Sequence, residues 1–417
     1  MPWITAIRLV TVPLALVMLI ALSISRDFRE EMTAILAPSS IVTKLLLAFV
    51  VISFLSIAVS AKPMVSFNKF IVAQISWTLI FFVSCFVFSR RGLTNRFCYI
   101  LWGCALFTCA IGLWEWQIQR LPWAGHIPSF LKVEEELLAG LLSASARSAT
   151  GLYRVKSIFT TPLGLGEFLA LATPIILHIV LTSRNVAIKA AGVASLLVIL
   201  MVLLRTDSRL GMVGYFMTFL LTILTWAALN WRANRKNIIA QGVLLFYPVI
   251  FALFIAATFF VRRLEVLVWG SGAQQASTDA RGTQIEMGLP KILTQPWGHG
   301  IGQGAEALGF RSPTGILTID TYYLAAALEF GVIGFFVFFG MFAVAIFTGG
   351  KAVLDVKDKE VALLAPLCIA IANFFVIKSV FSQLSNHPLV FAMLGAIVGL
   401  VYRAKTDPTV ARIKASG

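Results

Sequence analysis

Eleven runs of predominantly apolar residues divide this chain from end to end, at roughly residues 9–24, 41–60, 70–88, 97–115, 163–182, 187–204, 210–229, 239–261, 322–347, 361–380 and 388–402. Each approaches the ~20 residues that a helix needs to cross the hydrocarbon of a bilayer. Composition agrees: 59% of the 417 residues are hydrophobic and 13% are charged, against about a quarter charged in ordinary globular domains. The expected fold is therefore all-α, a polytopic integral membrane protein of about eleven (ten to twelve) transmembrane helices forming one membrane domain over 1–417. The +15 net charge then reports topology and anionic-lipid contact. It does not point to nucleic acid.

Most connections are short. Two are long, at about 116–162 and 262–321. Basic residues set the orientation, because cytoplasmic loops retain Lys and Arg. The stretches Arg90 to Arg96, Arg232 to Lys236, Lys351 to Lys359 and the tail after Tyr402 fall on one side when the helices alternate, and that side is expected to be the cytoplasm. Both long loops and the turn at 205–209 then face outward, the second loop carrying short helices. The N-terminus lies outside, in keeping with Arg8 before the first run and Arg26, Arg29 and Lys44 after it. The first run is short enough to resemble a signal peptide, but no small-x-small pattern follows it cleanly, so a retained anchor is expected. Phe130 to Leu142 reads as an amphipathic surface segment, and Pro13, Pro174 and Pro366 as kinks within spans. Cys85, Cys98, Cys104, Cys109 and Cys368 lie in or beside spans, with no spacing that suggests a disulfide or metal site.

On that topology the outer face carries ten arginines (Arg8, Arg120, Arg147, Arg154, Arg205, Arg209, Arg262, Arg263, Arg281, Arg311) against five lysines. The planar guanidinium grips phosphate or carboxylate in bidentate fashion, so an anionic, membrane-borne ligand is expected, a lipid-linked pyrophosphate above all. Solvation of long loops is the alternative for any one of them. In R-T-D-S-R-L-G (205–211), Asp207 and Ser208 are suited to capping the next helix. Arg209 stands in that helix's first turn, where the dipole disfavours a cation and asks for an anion. The alternating Gly298, Gly300, Gly302 and Gly304 either open backbone N–H groups toward phosphate or make a tight turn. Asp320 either caps the helix that follows or presents a carboxylate at the membrane edge. Glu329, about 13 Å further along at ~1.5 Å per residue, is either functional or paired within the bundle, with Lys378 the expected partner. Of the histidines, His178 reads as packed and His126 as isolated in its loop. His299 and His387 are candidate proton carriers.

The order of four segments resembles a family. Y-R-V-K-S-I-F-T-T-P-L-G-L-G-E-F-L-A, the S-R-L-G turn, R-G-T-Q-I-E-M-G-L-P-K-I-L-T-Q-P-W-G-H-G-I-G and D-T-Y-Y-L-A-A-A-L-E-F-G-V-I-G look like the O-antigen ligase and Wzy-type polymerase superfamily, best over about 150–345. The resemblance implies a bacterial inner-membrane glycosyltransferase that moves glycans from undecaprenyl pyrophosphate at the periplasmic face, with no cofactor and no metal. By position it implies Arg209 and Arg281 as pyrophosphate contacts, with Arg154 a further one. Arg205, Arg262, Arg263, Tyr322 and His299 complete the expected substrate-binding set. The ligase branch has His then Asn at the helix entrance, where this chain has Asp320 and Thr321, and a tryptophan often follows the loop arginine, where Gln284 and Ile285 stand here. The first departure favours a polymerase of exopolysaccharide, capsule or O-antigen repeats.

The residue chemistry supports the same expectation. Arg209 and Arg281 would stabilise the departing pyrophosphate. Asp320 would take the acceptor's proton or orient it, with His299 or His387 as the alternative base. No second carboxylate is placed as a covalent nucleophile, so transfer would invert the anomeric centre. The expected partners are a lipid-linked glycan donor, a glycan acceptor and the bilayer, with a chain-length regulator as a candidate protein partner. Two alternatives stay open: an O-antigen ligase acting on lipid A-core or protein, and a lipid-linked oligosaccharide transporter using Glu167, Glu329 and Lys378 near the midplane.

Overall fold

A computed structural model describes residues 6–124, 153–260, 275–312, 315–355 and 358–407. Arg262, Arg263, His126 and the Phe130 to Leu142 stretch lie outside them. The described chain is helical, without strands, and ten helical segments are long and apolar enough to span a membrane. In order the helices are α1 (Ala6–Ile24), α2 (Arg26–Leu36), α3 (Ser40–Leu55), α4 (Pro63–Ala73), α5 (Leu79–Ser89), α6 (Leu93–Ile118), α7 (Pro162–Thr182) and α8 (Val186–Thr206). They continue with α9 (Arg209–Ala233), α10 (Ile238–Phe260), α11 (Gln275–Thr294), α12 (Gly304–Leu308), α13 (Tyr322–Val353), α14 (Leu364–Lys378) and α15 (His387–Thr406). All eleven apolar runs are helical over most of their length. Two spans are continuous across irregular turns: α2 and α3 through a 3-10 turn at Ala37–Ser39, α4 and α5 through a π turn at Gln74–Thr78.

Local chemistry starts these helices where the polar residues sit. Thr161 accepts from Gly164 N at 3.1 Å with Pro162 in the first position of α7, and Asn185 accepts from Ala187 N at 2.8 Å to open α8; side-chain oxygens there satisfy amides that lack an intrahelical acceptor. Pro13 and Pro174 are interior to α1 and α7. Pro366, expected to kink its span, instead occupies the first turn of α14, where a missing N–H breaks no helical bond.

Helices α7, α14 and α15 are the most enclosed and α10 the most peripheral. The basic stretches assigned to one side do share one end of the bundle. Arg91 pairs with Asp407 at 2.6 Å, Arg403 with Glu360 at 2.7 Å, Arg90 with Glu31 and Arg232 with Asp355. The opposite end gathers Arg154, Arg205, Arg209, Arg281 and Asp320.

One span is broken. Gly331 interrupts α13 at φ 71°, ψ −177°, a conformation closed to side chains with a Cβ. The turn at 295–300 fits against the break: Val332 N donates to Pro296 O at 3.0 Å, His299 N to Leu328 O at 2.7 Å and Gly300 N to Glu329 O at 3.1 Å. These bonds re-satisfy the backbone groups that the break removes from the helix ladder, which lipid could not do.

Candidate functional site

The site end is built on a buried carboxylate that sequence reasoning passed over. Glu115, near the end of α6 and wholly buried, accepts from Ser157 N at 2.6 Å, from Lys156 N at 3.2 Å and from the Tyr153 hydroxyl at 2.7 Å. An acidic residue in an apolar run was the available signal. The clamp fixes the segment 153–157, and burial, then the Glu115 carboxylate, push the Tyr153 phenol above its ordinary range. Burial also lowers the Lys156 ammonium, with Glu115 opposing that shift.

The clamped segment holds the short turn between α8 and α9. Val155 N donates to Arg205 O at 3.0 Å, and Arg154 Nε donates to Thr206 O at 2.9 Å. Arg154 therefore braces the turn through its carbonyls. Ser208 is the N-cap of α9, its hydroxyl accepting from Gly211 N at 3.2 Å. Asp207 instead ends α8 in the left-handed region at φ 48°, so the expected pair of caps reduces to one. The turn lies against the start of α7, where a Cβ on Gly211 would come 3.1 Å from the Gly166 Cα. Arg209 opens α9, half-buried, and Arg205 stacks 4.0 Å over the Trp116 ring.

Beside this turn runs a buried polar cluster. Lys378 Nζ lies 2.9 Å from Glu167 Oε1, both side chains fully buried, and it also donates to Gln383 O. Lys378 thus pairs with Glu167 of α7, not with Glu329 as expected; α13 meets Lys378 through the Tyr322 ring at its first residue, while Glu329, two turns further along, is bound at the Gly304 amide. Asn386 donates to the second Glu167 oxygen at 3.1 Å and to Gly164 O at 2.9 Å. His387, at the start of α15 and fully buried, stacks on Trp77 at 4.9 Å between ring centroids and meets the Tyr322 ring edge-on at 5.0 Å. Among the described residues, neither its ring nitrogens nor the Tyr322 hydroxyl has a hydrogen-bond partner. Tyr322 is itself only 2% exposed, so in this conformation it faces the bundle.

The second long connection brings in α11. Gln284, buried on α11, accepts from Asp320 N at 2.9 Å, and Arg281 is one helical turn back on the same face. Thr321, not Asp320, caps α13 by accepting from Leu324 N at 3.3 Å. The Asp320 carboxylate is thereby released from the capping role. Ser382 donates to Ile319 O, and Leu210, next to Arg209, packs on the Ala170, Ile377 and Phe381 cluster. A continuous path of contacts thus links Arg209, the 377–382 segment, Asp320 and the Arg281 face of α11. Arg205 and His299 take other partners. His299 Nδ1 is 3.1 Å from Leu328 O.

The alternating glycines do not open toward a ligand. Gly304 N donates to Glu329 Oε1 at 3.4 Å, Gly302 N also binds that carboxylate, and Gly300 N is taken by the Glu329 carbonyl. The turn is a socket for Glu329 at the broken helix, which accounts for a carboxylate at that depth.

Fold and site together define a multi-pass, all-α membrane protein with an arginine-bearing, carboxylate-bearing cluster gathered at one end. Residues 193–339 match the family model of the O-antigen ligase, Wzy_C. The match, over about a third of the chain, supports a relationship to the O-antigen ligase and Wzy superfamily and, with it, an enzyme of O-antigen or polysaccharide processing. It spans Arg205, Arg209, Arg281 and Asp320. Glu167, Lys378, Asn386 and His387 fall outside it. No curated protein matches the chain.

Proposed function

We propose that the protein is an inner-membrane glycosyltransferase that polymerises undecaprenyl-pyrophosphate-linked oligosaccharide repeats at the periplasmic face. The observation that carries this reading is the bond from Asp320 N to Gln284 Oε1, which ties a carboxylate not used as a helix cap to the helix face that bears Arg281. In the reaction an acceptor sugar hydroxyl attacks the anomeric carbon of the donor. A new C–O bond forms, the bond to the pyrophosphate oxygen breaks with its electron pair leaving on the lipid pyrophosphate, and the hydroxyl proton passes to Asp320. Arg281 and Arg209 offset the charge that develops on the departing oxygen, and Arg154 keeps the Arg209 turn in place. On this reading the long loops lie outside the cell membrane and the C-terminus in the cytoplasm, an orientation that the basic stretches at the other end support. Attack opposite the leaving group inverts the anomeric centre.

The test is complementation of a deletion strain, with its glycans separated on a gel. Wild type restores long polymer, whereas Asp320→Ala and Arg281→Ala leave single-repeat product; full-length polymer from both variants at normal protein levels ends the proposal. One observation favours a second reading, ligation of finished glycan to lipid A-core or protein, because the matched family is described as an O-antigen ligase. On that reading the same variants accumulate long lipid-linked polymer instead.

A further inference from the structure

Away from the site end, a groove of about 500 Å³ opens between α9, α13 and α14, lined by Leu221, Thr225, Phe347, Gly350, Lys351 and Cys368 among others. Its wall is almost wholly apolar. Apart from Lys351 at one end, the polar side chains on it are already bonded to backbone, Thr225 Oγ1 donating to Leu221 O at 2.8 Å and Cys368 Sγ to Ile346 O at 3.7 Å. A space of this size without polar partners does not hold ordered water. Facing a bilayer, it is filled by hydrocarbon.

The position of the groove selects the occupant. Its lining on α9 runs from Leu221 to Ala228, about 10 Å at 1.5 Å per residue. That is within one half of a hydrocarbon core about 30 Å thick, so the groove belongs to a single leaflet. Its polar end is marked by Trp226 and Trp231, both exposed, with Arg235 over the Trp231 ring at 5.8 Å, the arrangement expected where helices leave the hydrocarbon. Lys351 stands on the lining at that end, exposed, and makes no ion pair among the described residues, while the neighbouring Arg232 and Asp355 neutralise each other. We propose that the groove binds one acyl chain of an anionic phospholipid whose phosphate headgroup rests on Lys351.

Gly350 makes the site testable without disturbing the fold. A Cβ there meets nothing within 4 Å, so Gly350→Leu places its side chain in the groove. The full-length protein is purified, stripped of lipid in detergent, and titrated with phosphatidylglycerol, phosphatidylethanolamine and a long polyprenyl phosphate, with thermal stability and native mass spectrometry as readouts. Wild type should bind phosphatidylglycerol at least tenfold more tightly than phosphatidylethanolamine. Lys351→Glu should abolish that preference, and Gly350→Leu should reduce retained lipid of every kind. Lys189→Glu, at an exposed lysine of α8 away from the groove, should leave the preference intact. Equal affinity for the two phospholipids, a preference that survives Lys351→Glu, loss of preference with Lys189→Glu, unchanged lipid retention in Gly350→Leu, or tighter binding of the polyprenyl phosphate each overturns the proposal.

Discussion

The Lys378 ammonium and the Glu167 carboxylate lie 2.9 Å apart with no exposure of either side chain, joining the end of α14 to the first turns of α7. The pair stands directly behind the Arg209 turn and the 319–322 segment. Two charges in a protein interior are tolerated when each offsets the other's desolvation, and removing one leaves the other stranded. Glu167→Leu or Lys378→Met alone should lower stability by about 3–5 kcal/mol. The double variant Glu167→Leu with Lys378→Met should recover most of the loss. Thermal unfolding in detergent of the two singles and the double checks this; singles that melt with wild type would falsify it.

Gln284 acts on Asp320 through the backbone, so its removal separates positioning from chemistry. Gln284→Leu leaves the half-buried Asp320 amide without its acceptor, a loss of about 1–1.5 kcal/mol. Polymer yield should fall roughly tenfold, since 1.4 kcal/mol corresponds to a factor of ten, and Gln284→Glu, which keeps the acceptor oxygen, should retain more activity than the leucine variant. The opposite ranking of the two variants removes Gln284 from the site.

The broken helix predicts a steep penalty at one glycine. A Cβ at Gly331 runs into the backbone of Pro296 and Trp297, and its φ of 71° costs a β-branched residue further strain. Gly331→Val should therefore abolish accumulation of folded protein, whereas Glu329→Gln, which still accepts from the Gly304 amide, should cost only about 1 kcal/mol. Membrane-fraction yield and melting temperature measure both. A well-folded Gly331→Val protein contradicts the socket.

Tyr153 gives a pH test with a definite sign. Its phenol is raised above the ordinary value of 10.0 by burial and by Glu115, so the folded state holds this proton more tightly than the unfolded state. The resulting stability is complete below the unfolded pKa and is lost as pH rises through the higher folded one. Tyr153→Phe should thus lower stability by about 1–2 kcal/mol, equally at pH 7 and pH 9. A deficit that shrinks between those two values shows that Tyr153 is ionising early and is not the donor to Glu115.

The helices, their order and the gathering of basic loops at one end were legible in the residues alone, because twenty apolar side chains in succession leave lipid as the only solvent that suits them. The S-R-L-G turn was legible for the same local reason: Ser208 is placed to cap, and its hydroxyl does. What lay beyond reach was every pairing between distant segments. Glu167, Glu329 and Lys378 are all charges within apolar runs, and nothing in their spacing says that Lys378 turns to α7 while Glu329 is taken by the Gly302 and Gly304 amides. Nor does local pattern decide whether Asp320 or Thr321 caps α13, since both side chains can. Helix periodicity is set by bonds within a few residues, but ion-pair partners are set by which helix faces meet. Tertiary packing alone made Asp320 a neighbour of the Arg281 face and turned a glycine-rich loop into the lock on a broken helix.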